Sequence, residues 1–152
     1  KDKSFMNDDR KDGPFKLYHD NGQLMCEGFI KNGKDDGIWT WYYENGNREH
    51  VEDRSGDQDD SDSNKLYLNT TYYKSGKKWL EKHVKNTGQF HGRYIWYKEN
   101  GQIREEGNYK DGHRHGKWIK YSRWSNSIKK VTMYECDGSC IENSDCLGVI
   151  IG

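Results

Sequence analysis

The chain has 152 residues, with 25 Lys/Arg against 25 Asp/Glu and a formal net charge of zero, which speaks against a general nucleic-acid binder. Its hydrophobic share is 31% and its aromatic share 14%, with eleven tyrosines, six tryptophans, one proline and no alanine. That balance disfavours helices and a thick two-layer core. No window approaches the ~18 consecutive apolar residues of a membrane-spanning helix.

A repeat with a period of 24 residues organises the chain. Phe5-Met6 precede Phe29-Ile30 by 24 positions, and Asp12-Gly13 precede Asp36-Gly37 by the same interval, so residues 1–12 read as a partial repeat. Repeat one spans 13–36: Gly13, Tyr18, Asn21, Gly22, Glu27, Gly28 and Gly33 have the internal spacing of Gly92, Tyr97, Asn100, Gly101, Glu106, Gly107 and Gly112. Repeat two, 37–51, keeps Trp39, Trp41, Tyr42 and the turn Glu44-Asn45-Gly46, and its pattern fades after Val51. Residues 52–64 form an acidic stretch, expected as a solvated loop. Asp57 and Asp59 have the alternation of calcium ligands, but the glycine and glutamate of an EF-hand loop are replaced by Asp62 and Leu68.

Repeat three, 65–91, is degenerate: Ser75-Gly76 is expected to shorten its turn, Lys82 replaces the strand glycine, and Thr87 lengthens the next turn, predicting the loosest joint here. Repeat four, 92–115, is the clearest hairpin. Tyr94 and Trp96 alternate with Ile95 and Tyr97, Glu99-Asn100-Gly101 supplies turn chemistry, and Gln102 to Tyr109 returns. Gly107 in that return leaves a gap that an aromatic from a neighbouring strand can cover. Repeat five, 116–134, opens with Gly116, Trp118 and Tyr121, and Arg123-Trp124-Ser125-Asn126 takes the place of the usual turn. The tail, 135–152, carries Leu147-Gly148-Val149-Ile150-Ile151, expected to cap the last hairpin's open edge. The whole, 1–152, reads as one all-β domain: an elongated, single-layer antiparallel sheet of stacked 24-residue β-hairpins.

The runs Gly92 to Gly112 and Gly13 to Gly33 resemble the MORN (membrane occupation and recognition nexus) repeat. They are most similar to the bacterial 24-residue variant found in exported repeat proteins and in proteins described as antitoxins. The resemblance covers about Gly13 to Tyr121. It implies a curved antiparallel sheet that binds proteins or lipids without catalysis, and no catalytic residue to carry over.

Charge is unevenly placed. Residues 1–64 hold nine Lys/Arg and sixteen Asp/Glu, residues 65–134 sixteen and five, and residues 135–152 none and four. The basic stretch fits an acidic protein surface, an anionic lipid or a glycan, and the charge dipole allows self-association. Aromatics at matching positions (Phe15, Trp39, Tyr94, Trp118), with Trp41 and Trp96 two residues on, predict a ladder along one face, serving either as core or as binding surface. The expected binding set is Trp39, Trp41, Tyr94, Trp96 and Trp118 with Arg93, Arg104, Lys110, Arg114, Lys117 and Lys120.

Chemistry is sparse. No phosphate loop, nucleophile elbow or HExxH occurs, and His91, His113 and His115 lack a cysteine or carboxylate at ligand spacing. No cofactor, metal or catalytic residue is expected. Cys26 lies in repeat one and Cys136, Cys140 and Cys146 in the tail, about 40 Å apart in a linear stack at roughly 10 Å per hairpin. Any bridge is therefore expected within the tail, leaving Cys26 a free thiol. Such a bridge, and a first residue that is not methionine, fit export to a periplasm or cell surface. The expected function is a non-catalytic scaffold that binds another macromolecule, most simply a protein. An antitoxin or immunity protein, which would bind one toxin tightly, and a structural subunit of a surface assembly, which would self-associate, are the competing classes.

Overall fold

The computed structural model describes residues 11–55, 65–134 and 148–151. Among them there are eleven strands: β1 (Gly13–Tyr18), β2 (Leu24–Lys31), β3 (Lys34–Tyr42), β4 (Arg48–Arg54), β5 (Leu66–Tyr72), β6 (Lys78–Lys85), β7 (Phe90–Tyr97), β8 (Ile103–Lys110), β9 (His113–Tyr121), β10 (Ile128–Tyr134) and β11 (Gly148–Ile151). They make one antiparallel sheet whose spatial order is the sequence order. Ten steps of ~4.8 Å give a sheet roughly 50 Å across.

Turn chemistry sets the register. In the first hairpin the His19 N–H donates to Gln23 O at 2.8 Å and the Gly22 N–H to His19 O at 2.9 Å, and the same pair of bonds recurs at Tyr43–Asn47, Tyr73–Lys77 and Lys98–Gln102. The asparagine of the turn locks it by accepting from the N–H two residues on, as Asn21 does from Gln23 at 2.9 Å, Asn45 from Asn47 at 3.0 Å and Asn100 from Gln102 at 3.0 Å. Asn21 and Asn45 then use their amide hydrogens across the stack, donating to Glu44 O at 3.0 Å and Lys74 O at 2.9 Å in the next turn. Successive turns are thus tied edge to edge. At the opposite edge Asn32-Gly33 (φ 52° and 74°) and Asp111-Gly112 (φ 50° and 85°) have the paired positive φ of type I′ turns.

Tertiary packing departs from the sequence expectation in three places. The third turn is not shortened: Ser75 occupies the asparagine position and Gly76 the glycine position, with the same Tyr73–Lys77 bond of 2.8 Å. The weak joint lies between repeats two and three, where β4 and β5 pair only from His50↔Thr71 to Glu52↔Asn69, whereas β5 and β6 pair along their length. Glu52, Asp53 and Arg54, expected in the acidic loop, belong to β4. They stay in the strand because Arg54 holds Glu52 at 2.6 Å and Asp35 at 2.7 Å, while Asp53 closes the strand end by accepting from the Ser55 N–H at 3.0 Å. The lengthening expected at Thr87 is present, with the Lys85 N–H reaching Gln89 O at 2.8 Å.

The repeat glutamate has a structural task. The Tyr42 hydroxyl donates to Glu27 at 2.6 Å, Tyr97 to Glu81 at 2.5 Å and Tyr121 to Glu106 at 2.8 Å, each tying an outgoing strand to the preceding return strand. At the C-terminal end β11 pairs antiparallel with β10 from Val131↔Ile151 to Tyr134↔Gly148, covering that strand's free edge.

Candidate functional site

The strand glycines carry the tryptophans. A Cβ at Gly28 would lie 2.3 Å from the Trp39 ring, and one at Gly107 would lie 2.3 Å from the Trp118 ring, so each indole lies flat on the backbone of the neighbouring strand. Trp39 is 3% exposed and Trp118 2%. Both stood in the expected binding set, with core as the alternative for the ladder; at this burial they are core, because the missing side chain lets the ring sink into the sheet. Phe15 and Trp41 flank Trp39 at ring separations of 5.4 and 6.1 Å. Tyr94, Tyr109 and Tyr134 surround Trp118 at 5.5, 5.1 and 6.3 Å. Tyr94, Trp41 and Trp96 are partly exposed.

The aromatic ladder is not continuous. Between Trp39 and Tyr94 the paired row runs Trp39↔Glu52, Glu52↔Asn69, Asn69↔Lys82 and Lys82↔Tyr94. Polar side chains therefore separate an N-terminal aromatic cluster from a C-terminal one. Burial pushes the Glu52 carboxyl up, but hydrogen bonds and charges from His50 and Arg54 outweigh it and hold the group at about 2. Lys82, standing where Gly28 and Gly107 stand in the intact repeats, leaves no seat for a tryptophan. Its ammonium instead sits 4.6 Å from the Phe90 ring centroid.

The six basic residues expected to act together are dispersed. Arg114 donates to both oxygens of Glu105, at 2.9 and 3.3 Å, and stacks 3.9 Å over Trp118. Arg93 lies 3.5 Å from Glu106 and shares a shallow depression with Lys117, on the face opposite Tyr94 and Trp118. Lys110 ends β8 beside the Asp111-Gly112 turn, at the far edge from the Lys98–Gln102 turn. Arg104 and Lys120 meet apart from these, in a groove of about 520 Å³ at the edge formed by the fourth and fifth hairpin turns.

That groove adds residues that the sequence reading did not single out. Among the described residues its walls carry Lys98, Arg104, Lys120, Arg123 and Lys129 against one carboxylate, Glu99, together with Tyr73, Tyr121 and Trp124. Arg104 lies 4.0 Å over the Trp96 ring and Arg123 5.1 Å over Trp124, and Trp124 is 87% exposed. The signal that could have found it is the replacement of the Asn-Gly turn by Arg123-Trp124-Ser125-Asn126.

Among the described residues no group of three or more His, Cys, Asp and Glu is placed to hold a metal, and no helix is long and apolar enough to cross a membrane. Cys26 is buried at 4% exposure. Cys136, Cys140 and Cys146 lie outside the described residues, as do Asp57 and Asp59. Three segments, residues 11–32, 35–50 and 90–111, match the family described as MORN repeat variant. No curated protein matches the chain.

Proposed function

We propose, from the premise that the chain belongs to the MORN repeat family, that it is a scaffold whose C-terminal hairpins dock the acidic surface of a protein partner. MORN repeats generally mediate protein or membrane-lipid interactions, and proteins built from them are typically non-catalytic. The finer reading rests on one observation: the cations of residues 65–134 outnumber their carboxylates sixteen to five, and five of them converge on one groove. The described carboxylates on β2 to β4 lie about 20 Å or more from β9 along the sheet, more than twice the ~8 Å screening length at physiological salt. At that distance they do not neutralise them. Such an end steers an acidic partner and raises its association rate, while the adjacent aromatics Trp96 and Trp124 lengthen the encounter.

Reversing Arg104 and Lys120 to glutamate is expected to slow association with the partner that co-purifies with the tagged chain, and to flatten its salt dependence. Reversing Asp57, Asp59 and Asp60 to lysine is expected to change little. Loss of binding in the acidic-stretch variant, with the basic-end variant intact, would assign the interface to the acidic stretch instead.

A further inference from the structure

Along most of the stack the hairpin turns are sewn together. Asn21 reaches Glu44 O at 3.0 Å, Asn45 reaches Lys74 O at 2.9 Å, and in the third turn, where Ser75 replaces the asparagine, the Tyr73 hydroxyl donates to Tyr97 O at 2.9 Å. At the fifth hairpin the pattern stops. Its turn closes from the Ser122 N–H to Ser127 O at 2.8 Å, one residue wider than the others, and Asn100 spends its amide on Gln102 in its own turn at 3.3 Å. A longer arm makes the crossing: Lys98 Nζ donates to Ser125 O at 3.1 Å. The groove of about 520 Å³ lies along these two turns, with Tyr73 of the third turn also in its wall.

From this geometry we infer that the groove is a docking site for an acidic peptide segment bearing one apolar side chain, an inference that rests on the protein-binding reading above and gives it a location. Several cations elsewhere in the sheet are matched, as in Arg54 with Asp35 at 2.7 Å, Arg114 with Glu105 at 2.9 Å and Lys85 with Asp111 at 2.6 Å; what sets the groove apart is that five cations gather there. Among the described residues, Lys98, Arg104, Lys120, Arg123 and Lys129 have no such carboxylate, and Glu99 is the one anion in the groove wall. Their mutual repulsion is relieved by an anionic ligand.

The form of the groove selects the anion. A single phosphate is bound best by a nest of backbone N–H groups. Here those of Lys98, Gly101, Gln102, Ser122 and Trp124 already donate within the turns. Recognition falls to long side chains spread over a volume within the ~300–1,000 Å³ range of ligand clefts, which suits several carboxylates along a chain. The Arg104 and Arg123 guanidinium carbons lie 4.0 and 5.1 Å from the Trp96 and Trp124 ring centroids, and their N–H groups can fork onto carboxylates. The exposed face of Trp124 takes the apolar side chain.

The test uses the full chain and a synthetic peptide of aspartate and glutamate around a central leucine, titrated calorimetrically. Binding that weakens with salt is expected. Lys120→Glu with Lys129→Glu should lower affinity about tenfold or more, Trp124→Ser about tenfold, and Arg93→Glu with Lys117→Glu, on the opposite face, should leave it within about twofold. All of these side chains are exposed, and unchanged circular dichroism spectra would show that the sheet is intact. Equal affinity in the Lys120/Lys129 variant overturns the groove assignment, and so does capture of phosphatidylglycerol vesicles or inorganic phosphate through these lysines without capture of the peptide. If the co-purifying protein partner binds that variant as well as it binds the parent, the groove falls and the wider reading stands. If the parent retains no protein partner at all, the wider reading falls as well.

Discussion

Replacing Gly107 with alanine is a small chemical change with a large expected effect. The new methyl would lie 2.3 to 2.6 Å from three atoms of the Trp118 ring, where carbon atoms rest at ~3.5–4.0 Å. The ring would have to retreat by more than about 1 Å, but Tyr94, Tyr109 and Tyr134 surround it and Arg114 covers it at 3.9 Å. Overpacking of this kind costs ~1–3 kcal/mol. Retreat also strains the bond from Trp118 Nε1 to Asn108 O at 3.0 Å, adding about 1 kcal/mol. The expected loss is about 2–4 kcal/mol, read as a lower urea midpoint at unchanged slope. In a Trp118→Leu background the same substitution should cost nothing, or stabilise by ~0.5 kcal/mol because glycine is itself poor in a strand. An equal cost in both backgrounds would refute the claim that the strand glycine exists to seat the indole.

Three further outcomes follow from contacts elsewhere. Glu52 titrates near 2 in the folded chain against an ordinary value of 4.5, so its contribution is present above the ordinary value and lost as pH falls toward 2; Glu52→Gln should flatten acid unfolding over that interval. Burial and the hydrogen bond to Glu81 raise Tyr97 from 10.0 to about 12, so stability should fall as pH rises between those values, and phenolate absorbance should show this tyrosine titrating late, with Glu81→Gln bringing it earlier. Truncation after Leu147 removes β11 and bares the edge of β10, and light scattering should then show concentration-dependent association.

How far the sequence could be read varies with the range of the contact. The hairpins and their order were legible because Asn-Gly turns and the 24-residue period are local signals, and the gap at Gly107 followed from strand alternation alone. The depth of Trp39 and Trp118 was not legible, since an aromatic ladder has the same period whether it is core or surface. Only the seating of each ring on Gly28 or Gly107 decides. Arg114 was expected among the binding cations, but its hold on both oxygens of Glu105 crosses from β9 to β8 and has no signature in residue spacing. The groove was hidden because Tyr73, Lys98 and Lys129 are distant in sequence and meet only through the stacking of successive hairpins.

The central claim, that the C-terminal hairpins are the docking end, is tested most directly by hydrogen–deuterium exchange of the chain alone and in complex with its co-purified partner. The account predicts new protection in the Lys98–Gln102 and Ser122–Ser127 turns and the adjoining ends of β8, β9 and β10, with β1 to β3 unchanged. Protection confined to β1 to β3, with those two turns exchanging as freely as before, would contradict it.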